Sequence, residues 1–244
     1  MESQQLFSFP RFMMVARFYY PRLKKQIIFL PIVAFVIGLL SIISIIDQMK
    51  GTFVIASLLL GACYTFSPLI LATRKGTEIE TALPATWVEK SVFLIGYCLI
   101  GVTILYFGPI LIAEAVAHTV IDYSCGDLYN QMKEQGLIYK IGYNITSSLF
   151  YLVTCMTAVI CSTRHRVLNG ILWVILINII FFIVGVIEGI LATVHADDTK
   201  DVEKITSVVK DIMDPIFNCL IGGMIFLMIA MILFTVHKIK NRQI

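Results

Sequence analysis

The sequence predicts an all-α polytopic membrane protein with six transmembrane helices. The chain is 58% hydrophobic and 14% charged, whereas about a quarter of the residues in a soluble domain are charged. Six apolar stretches of roughly 20 residues or more follow one another, and each is long enough to cross the hydrocarbon core of a bilayer. Spans and short loops use nearly all 244 residues, so we expect a single transmembrane domain covering 1–244.

The first 25 residues are expected to form an amphipathic helix on the membrane surface. From Phe7 to Lys25, aromatic residues and methionines alternate with five basic residues, a composition typical of an interfacial helix on an anionic leaflet. A plain basic anchor beside the membrane is the alternative. The segment has no apolar core before Ile27, which argues against a cleavable signal peptide. The six expected spans are residues 27–46, 52–73, 91–117, 137–162, 167–192 and 215–236.

The loop at residues 74–90 carries two helix-start signals. Thr77 to Glu80 and Thr86 to Glu89 each fit a capping box, in which a threonine hydroxyl and a glutamate side chain satisfy each other's free backbone donors. Pro84 lies between them and disfavours helical geometry at the residue before it. The pattern predicts a short helix, a break, and a second helix that continues into the third span.

The short helix of this loop has one apolar face. Ile79, Ala82 and Leu83 recur at helical spacing on an otherwise polar segment. A helix of under two turns is unstable alone. We therefore expect it to dock against another molecule.

A second amphipathic helix is expected in the last outer loop, at residues 194–214. Apolar residues recur there at helical spacing, and two aspartates near the start suit a helix N-terminus. A role in releasing a substrate and a role in covering the bundle are both open.

Charge bias predicts the orientation of the spans. Thirteen of the 19 lysine and arginine residues lie in the N-terminal segment, the 74–90 loop, the Arg164 turn and the C-terminus. The positive-inside rule places these segments in the cytoplasm. Both termini are then cytoplasmic, as an even number of spans requires.

Three features inside the spans are candidates for function. Glu114 and Glu188 are the only carboxylates within the expected spans, and intramembrane carboxylates are costly unless they serve a function. Both lie near the outer ends of their spans, so a structural role and a place on a substrate path remain open. Gly185 and Gly189 form a GxxxG pattern that permits close helix approach.

Catalytic patterns do not occur in the sequence. It contains no HExxH, no GxSxG and no GxxxxGK[ST] phosphate loop, and its cysteines and histidines lack metal-ligand spacing. We predict no enzymatic activity, no metal site and no cofactor bound by this chain. Any ATP-driven work would need a nucleotide-binding partner.

The segment LPATWVEK, from Leu83 to Lys90, is similar to the LPA[ST]xxEK signature of small bacterial permeases. With the order of spans and loops around it, the chain resembles the permease subunits of type-two ABC exporters. That resemblance implies a multi-pass protein of the bacterial inner membrane, with a separate ATPase that binds ATP and Mg²⁺ and a second permease copy or homologue. It implies an ATPase contact made or supported by Ile79, Glu80, Leu83, Pro84 and Glu89, and a dimer seam near Gly185 and Gly189. No nucleic-acid partner is expected.

A second class of function remains open. The same amphipathic loop could hold a cytoplasmic protein if the chain were a membrane scaffold or a sensor partner. A membrane enzyme is a third and weaker alternative, because no reactive constellation is present.

Overall fold

A computed structural model describes residues 7–46, 50–72, 84–121, 138–162, 164–197 and 202–241, and within these ranges every regular element is helical. Three described stretches are long and apolar enough to cross a membrane, judged by length and composition: Phe9–Leu40, Trp87–Ala113 and Asn218–Asn241. Three further apolar helical stretches are shorter: Leu58–Leu71, Ile145–Cys161 and Arg166–Phe181. These apolar helices agree with the predicted all-α class and with the prediction of a membrane protein.

The helices follow the order of the expected spans. They are α1 (Phe9–Ile46), α2 (Lys50–Thr65), a 3₁₀ helix (Ser67–Leu71), α3 (Trp87–Gly96), a π-helical turn (Tyr97–Gly101), α4 (Val102–Ile121), α5 (Ile138–Cys161), α6 (Arg166–Asp197) and α7 (Val202–Asn241). The chain from α3 through the π turn into α4 is continuously helical, and it covers the expected third span.

Helix α1 joins two segments that the sequence treats as separate. It is one helix of 38 residues and does not end at Lys25, where the predicted interfacial segment meets the first span. Hydropathy changes at that point, but a single buried face runs through both halves, so packing keeps the helix continuous. The buried positions on this face are Val15, Tyr19, Leu23, Gln26, Leu30 and Ala34.

The predicted outer helix at 194–214 is also divided differently. Helix α6 continues to Asp197, and α7 begins at Val202 and runs for 40 residues. The amphipathic stretch from Val202 is thus the first part of the last long helix and not an element of its own.

Helix α5 lies at the centre of the bundle. It contacts α2, the 3₁₀ helix, the π turn, α6 and α7. A helix that is buried on most of its circumference belongs to the core of an assembly. Its buried residues are Phe150, Leu152, Val153, Thr154, Cys155, Met156, Ala158, Val159 and Ile160.

Several helix ends meet at one end of the bundle. Val15 of α1, Leu71 of the 3₁₀ helix, Leu94 of α3, Ile160 of α5 and Ile239 of α7 belong to one buried apolar cluster. These are the helix ends next to the segments that hold most of the basic residues. The helix ends that the charge bias assigns to one side of the membrane therefore lie together in the structure.

Candidate functional site at the start of α3

Helix α3 starts with the capping box that the sequence predicts. Thr86 is the N-cap residue, with extended backbone angles, and its hydroxyl accepts a hydrogen bond from the Glu89 backbone N–H at 3.4 Å. In return, Oε2 of Glu89 accepts from the Thr86 backbone N–H at 2.8 Å. Pro84, two residues before the cap, is exposed. The second capping box is therefore confirmed, and it fixes α3 where the chain emerges from the 74–90 loop.

The other oxygen of Glu89 binds the start of α1. Oε1 accepts from the backbone N–H of Ser8 at 2.6 Å and from Nε of Arg11 at 3.0 Å. The Glu89 side chain is fully buried, whereas that of Arg11 is 30% exposed. One carboxylate thus connects two helices that are about 80 residues apart in sequence.

Electrostatics favour an ionised carboxylate at this position. Glu89 lies in the first turn of α3, and Ser8 immediately precedes α1. The N-terminus of a helix carries a partial positive charge, which stabilises a nearby anion. Hydrogen bonds to an ionised acceptor are also shorter and stronger than neutral ones. The Arg11 guanidinium supplies the compensating full charge.

The last turn of α7 contacts the same helix start. Nζ of Lys240 lies 5.6 Å from the centre of the Trp87 ring, within the range of a cation–π interaction. Ile239 beside it is buried in the apolar cluster. We call the set Ser8, Arg11, Thr86, Trp87, Glu89 and Lys240 the α3 junction, because it joins the first residues of α3 to both terminal helices.

An aromatic row extends the α1–α3 contact below the junction. The Phe93 ring lies 6.0 Å from that of Phe12 and 5.4 Å from that of Tyr19, measured between ring centres. Aromatic pairs at such separations contribute beyond the area they bury. Apolar and aromatic packing therefore holds the two helices together over several turns.

A polar link follows the aromatic row. The Tyr97 hydroxyl donates to Oε1 of Gln26 at 3.0 Å, and Nε2 of Gln26 donates to the backbone carbonyl of Ser67 at 3.1 Å. Gln26 is buried. It connects α1 to the π turn and to the 3₁₀ helix that ends the second predicted span.

Gly170 allows α6 to approach the 3₁₀ helix and α5 closely. A Cβ atom there would lie 2.8 Å from Cδ2 of Leu69 and 3.0 Å from Cγ2 of Val159. The α6 backbone consequently packs directly on the 3₁₀ helix and α5. Before it, the α5–α6 turn places His165 at a φ of 52°.

An apolar cleft separates α6 from α7. It has a volume of about 660 Å³ and opens between α5, α6 and α7. Aromatic and aliphatic side chains form nearly all of its wall. They include Phe150, Trp173, Ile177, Phe181, Leu220 and Met224.

The α3 junction connects the start of α3 to the start of α1 and to the last turn of α7. Its side chains form a cap, an ion pair and a cation–π contact. Comparisons with protein-family models, curated proteins and solved structures found no match. The junction is thus interpreted from its own geometry and from the sequence around it.

The predicted site residues are only partly within the described ranges. Ile79, Glu80 and Leu83 lie outside them, as does the first capping box. Of the predicted ATPase-contact residues, Pro84 is exposed and Glu89 is buried against α1, so Glu89 can support a contact surface but does not form one. Glu114 lies in α4, and Gly185, Glu188 and Gly189 lie in α6. The structure does not describe the surroundings of these four side chains.

Sequence reasoning missed the long-range contacts of the α3 junction, namely Arg11 with Glu89 and Lys240 with Trp87. Composition places Arg11 among the basic residues of the expected interfacial helix and Lys240 in the basic C-terminus. Both expectations rest on local composition, which carries no information about a contact with a distant part of the sequence. The sequence offered one signal. A capping box uses only one carboxylate oxygen of Glu89, which leaves the other oxygen available to a second partner.

Proposed function

We propose that this protein is the membrane-spanning permease subunit of an ATP-driven exporter in the bacterial inner membrane. Six spans, with both termini in the cytoplasm, would form the translocation path together with a second permease copy or homologue. A separate ABC-type ATPase would bind ATP and Mg²⁺ and dock on the 74–90 loop. The LPATWVEK segment and the order of spans suggest this function, and the α3 junction is the observation that supports it best.

The junction lies where such a motor would have to act. A docking helix in the loop would connect through Pro84 to Thr86, and Thr86 begins α3. Through Glu89 and Trp87, the first turn of α3 is bound to α1 and α7. A displacement applied to the loop would therefore move the starts of α1 and α3 and the end of α7 together.

The strength of these contacts suits such a coupling. A hydrogen bond to a charged group contributes about 1.5–3 kcal/mol, and removing one partner of a buried ion pair costs about 3–5 kcal/mol. The 30% exposure of Arg11 puts the present pair below these ranges, because water screens an exposed charge. Several such contacts at one helix start add directional bonds to the apolar packing between α1 and α3.

The six-span topology is supported by the helix order. Besides the three longest apolar stretches, α2 with the 3₁₀ helix, α5 and α6 provide three further apolar helices. Positive charge concentrates at the end of the bundle that holds the α3 junction, which the positive-inside rule assigns to the cytoplasm. An ATPase there would have direct access to the loop.

The experiment is a co-purification in mild detergent. The tagged chain should bring down a protein that contains a phosphate-binding loop, and replacing residues 77–83 by a glycine–serine linker should abolish this. The matched control replaces the C-terminal residues 242–244 and should leave recovery unchanged. Recovery of a partner without a nucleotide-binding domain would instead support the scaffold or sensor alternative.

A further inference from the structure

A second cavity opens between α1 and the 3₁₀ helix, on the surface of the bundle. Its volume is about 360 Å³. It is distinct from the α3 junction and from the apolar cleft beside α6. The lining residues are Lys25, Gln26, Phe29, Leu30, Val33, Cys63, Phe66, Ser67 and Ile70, and we call this cavity the α1 groove.

The α1 groove is polar at one end and apolar along the rest. Lys25 and Ser67 lie at the polar end, where Gln26 is already engaged by Tyr97 and by the Ser67 carbonyl. Beyond Gln26 the lining is aliphatic, aromatic or thiol. None of the described lining residues is acidic, so within this part of the chain the groove presents no opposite charge to the Lys25 ammonium. The lining is complementary to a molecule with an anionic head and an apolar tail.

A buried polar atom of the groove lining points to a missing partner, and a second belongs to Arg22, which does not itself line the groove. The hydroxyl oxygen of Ser67 is buried and has no hydrogen-bond partner among the described residues, and Ser67 as a whole is 8% exposed. Nη1 of Arg22, one helical turn before Gln26, is likewise buried and unsatisfied within the described part of the chain. Buried polar groups without a partner are costly. A ligand that supplied acceptor oxygens here would remove that cost.

Arg22 is already held in position by neighbouring rings. Its guanidinium carbon lies 4.8 Å from the centre of the Phe18 ring and 5.8 Å from that of Tyr19. Such stacking orders the side chain before a ligand arrives. An arginine held in this way can offer paired N–H donors to a phosphate.

The change in hydropathy along α1 indicates that the groove lies at the boundary between headgroups and hydrocarbon. Lys25 is the last charged residue of α1, and Ile27 begins the uncharged half of the helix. From Lys25 to Val33 the helix rises about 12 Å, at 1.5 Å per residue. A phosphate at Lys25 would therefore lie at headgroup level, and the groove beyond it would run alongside the upper part of an acyl chain.

We propose that the α1 groove binds one anionic phospholipid from the surrounding bilayer. The phosphate lies beside Lys25 and Arg22, and one acyl chain follows Phe29, Leu30 and Val33. Because Gln26 connects α1, the π turn and the 3₁₀ helix at the groove's edge, a bound lipid braces the contact of α1 with these two elements. This site does not depend on an ATPase partner, so it can be tested independently of the exporter assignment.

The test uses the purified full-length chain in uncharged detergent. Native mass spectrometry measures one-to-one binding of phosphatidylglycerol, with phosphatidylcholine as the neutral lipid and glycerol phosphate as the headgroup without chains. Phosphatidylglycerol should bind more tightly than phosphatidylcholine. Lys25→Gln should weaken its binding about fivefold, which corresponds to about 1 kcal/mol for one basic residue near an anionic lipid. Glycerol phosphate should not compete.

Two neighbouring residues provide matched controls. Lys24 is exposed and does not line the groove, so Lys24→Gln should leave binding unchanged, and Lys25→Arg should retain it. Val33→Trp should fill the apolar part and reduce binding, whereas Val36→Trp on the exposed surface should not. Circular dichroism and the unfolding temperature establish that each variant is folded.

Three results would overturn the proposal. Equal losses for Lys24→Gln and Lys25→Gln would indicate a diffuse basic surface. Unchanged binding in the folded Val33→Trp variant would exclude an acyl chain in the groove. Competition by glycerol phosphate would assign the site to a free anion.

Discussion

Replacing Glu89 by alanine tests the α3 junction most sharply within the described part of the chain. The substitution removes both halves of a connection, namely the bond to Thr86 within α3 and the bonds to Ser8 and Arg11 at the start of α1. Losing a helix cap costs about 1 kcal/mol. We take about 0.5–1 kcal/mol for each of the two bonds to α1, since Arg11 is partly exposed and water screens its charge. The expected loss is then about 2–3 kcal/mol.

This loss should appear as a lower unfolding temperature in detergent. For a chain of this size, 1 kcal/mol shifts the midpoint by about 2–4 °C, so Glu89→Ala should lower it by about 4–12 °C. Thr86→Ala removes only the cap hydroxyl and should lower it by about 2–4 °C, whereas Thr86→Ser should keep the cap. Glu89→Gln should fall between the two alanine variants, because an amide oxygen can still accept from one donor.

A double-mutant cycle isolates the link between α1 and α3. Arg11→Gln alone should cost less than 1 kcal/mol, as is common for a partly exposed ion pair, and combined with Glu89→Gln it should cost less than the two single losses together. If Glu89→Ala lost no more stability than Thr86→Ala, the bonds from Ser8 and Arg11 would contribute nothing. The rigid-junction argument would then fail.

Three other predictions concern topology and packing. In a cysteine-free background, Thr77→Cys should resist an impermeant thiol reagent in intact cells while Asp127→Cys reacts, and the reverse pattern would invert the orientation. Gly170→Val should cost about 1–3 kcal/mol through overpacking against Leu69, measured as the unfolding midpoint, and an unchanged midpoint would mean that α6 can move aside. Isoleucine at both Gly185 and Gly189 should reduce co-purification of two differently tagged copies while the monomer stays folded, and unchanged recovery would make the GxxxG a chance match.

The elements that could be predicted from the sequence are those that local residues determine. The Thr86–Glu89 cap involves four consecutive residues and a preceding Pro84, so its chemistry is visible in the sequence. The apolar stretches likewise located the long helices, because hydropathy is a local property. For the same reason the α5–α6 turn at Arg164 was placed correctly.

The elements that the sequence did not reveal depend on distant contacts. Helix α1 passes through Lys25 without a break because Leu23, Gln26 and Leu30 continue one buried face, which a hydropathy boundary does not detect. The ion pair of Arg11 with Glu89 joins residues 78 positions apart. Gly170 carries no local pattern either, since its importance comes from Leu69 and Val159 on other elements.

The central proposal is that the 74–90 loop docks a motor protein, and Leu83→Glu tests it most directly. Leu83 is on the predicted apolar face of the loop helix, and an unpaired charge buried at an interface is strongly unfavourable. Thr81→Glu adds the same charge outside that face and is the matched control. We predict that Leu83→Glu abolishes co-purification or transport-coupled stimulation of the P-loop ATPase, whereas membrane insertion is normal and Thr81→Glu retains both. An identified ATPase that stays bound and fully coupled to the Leu83→Glu variant would contradict the docking assignment.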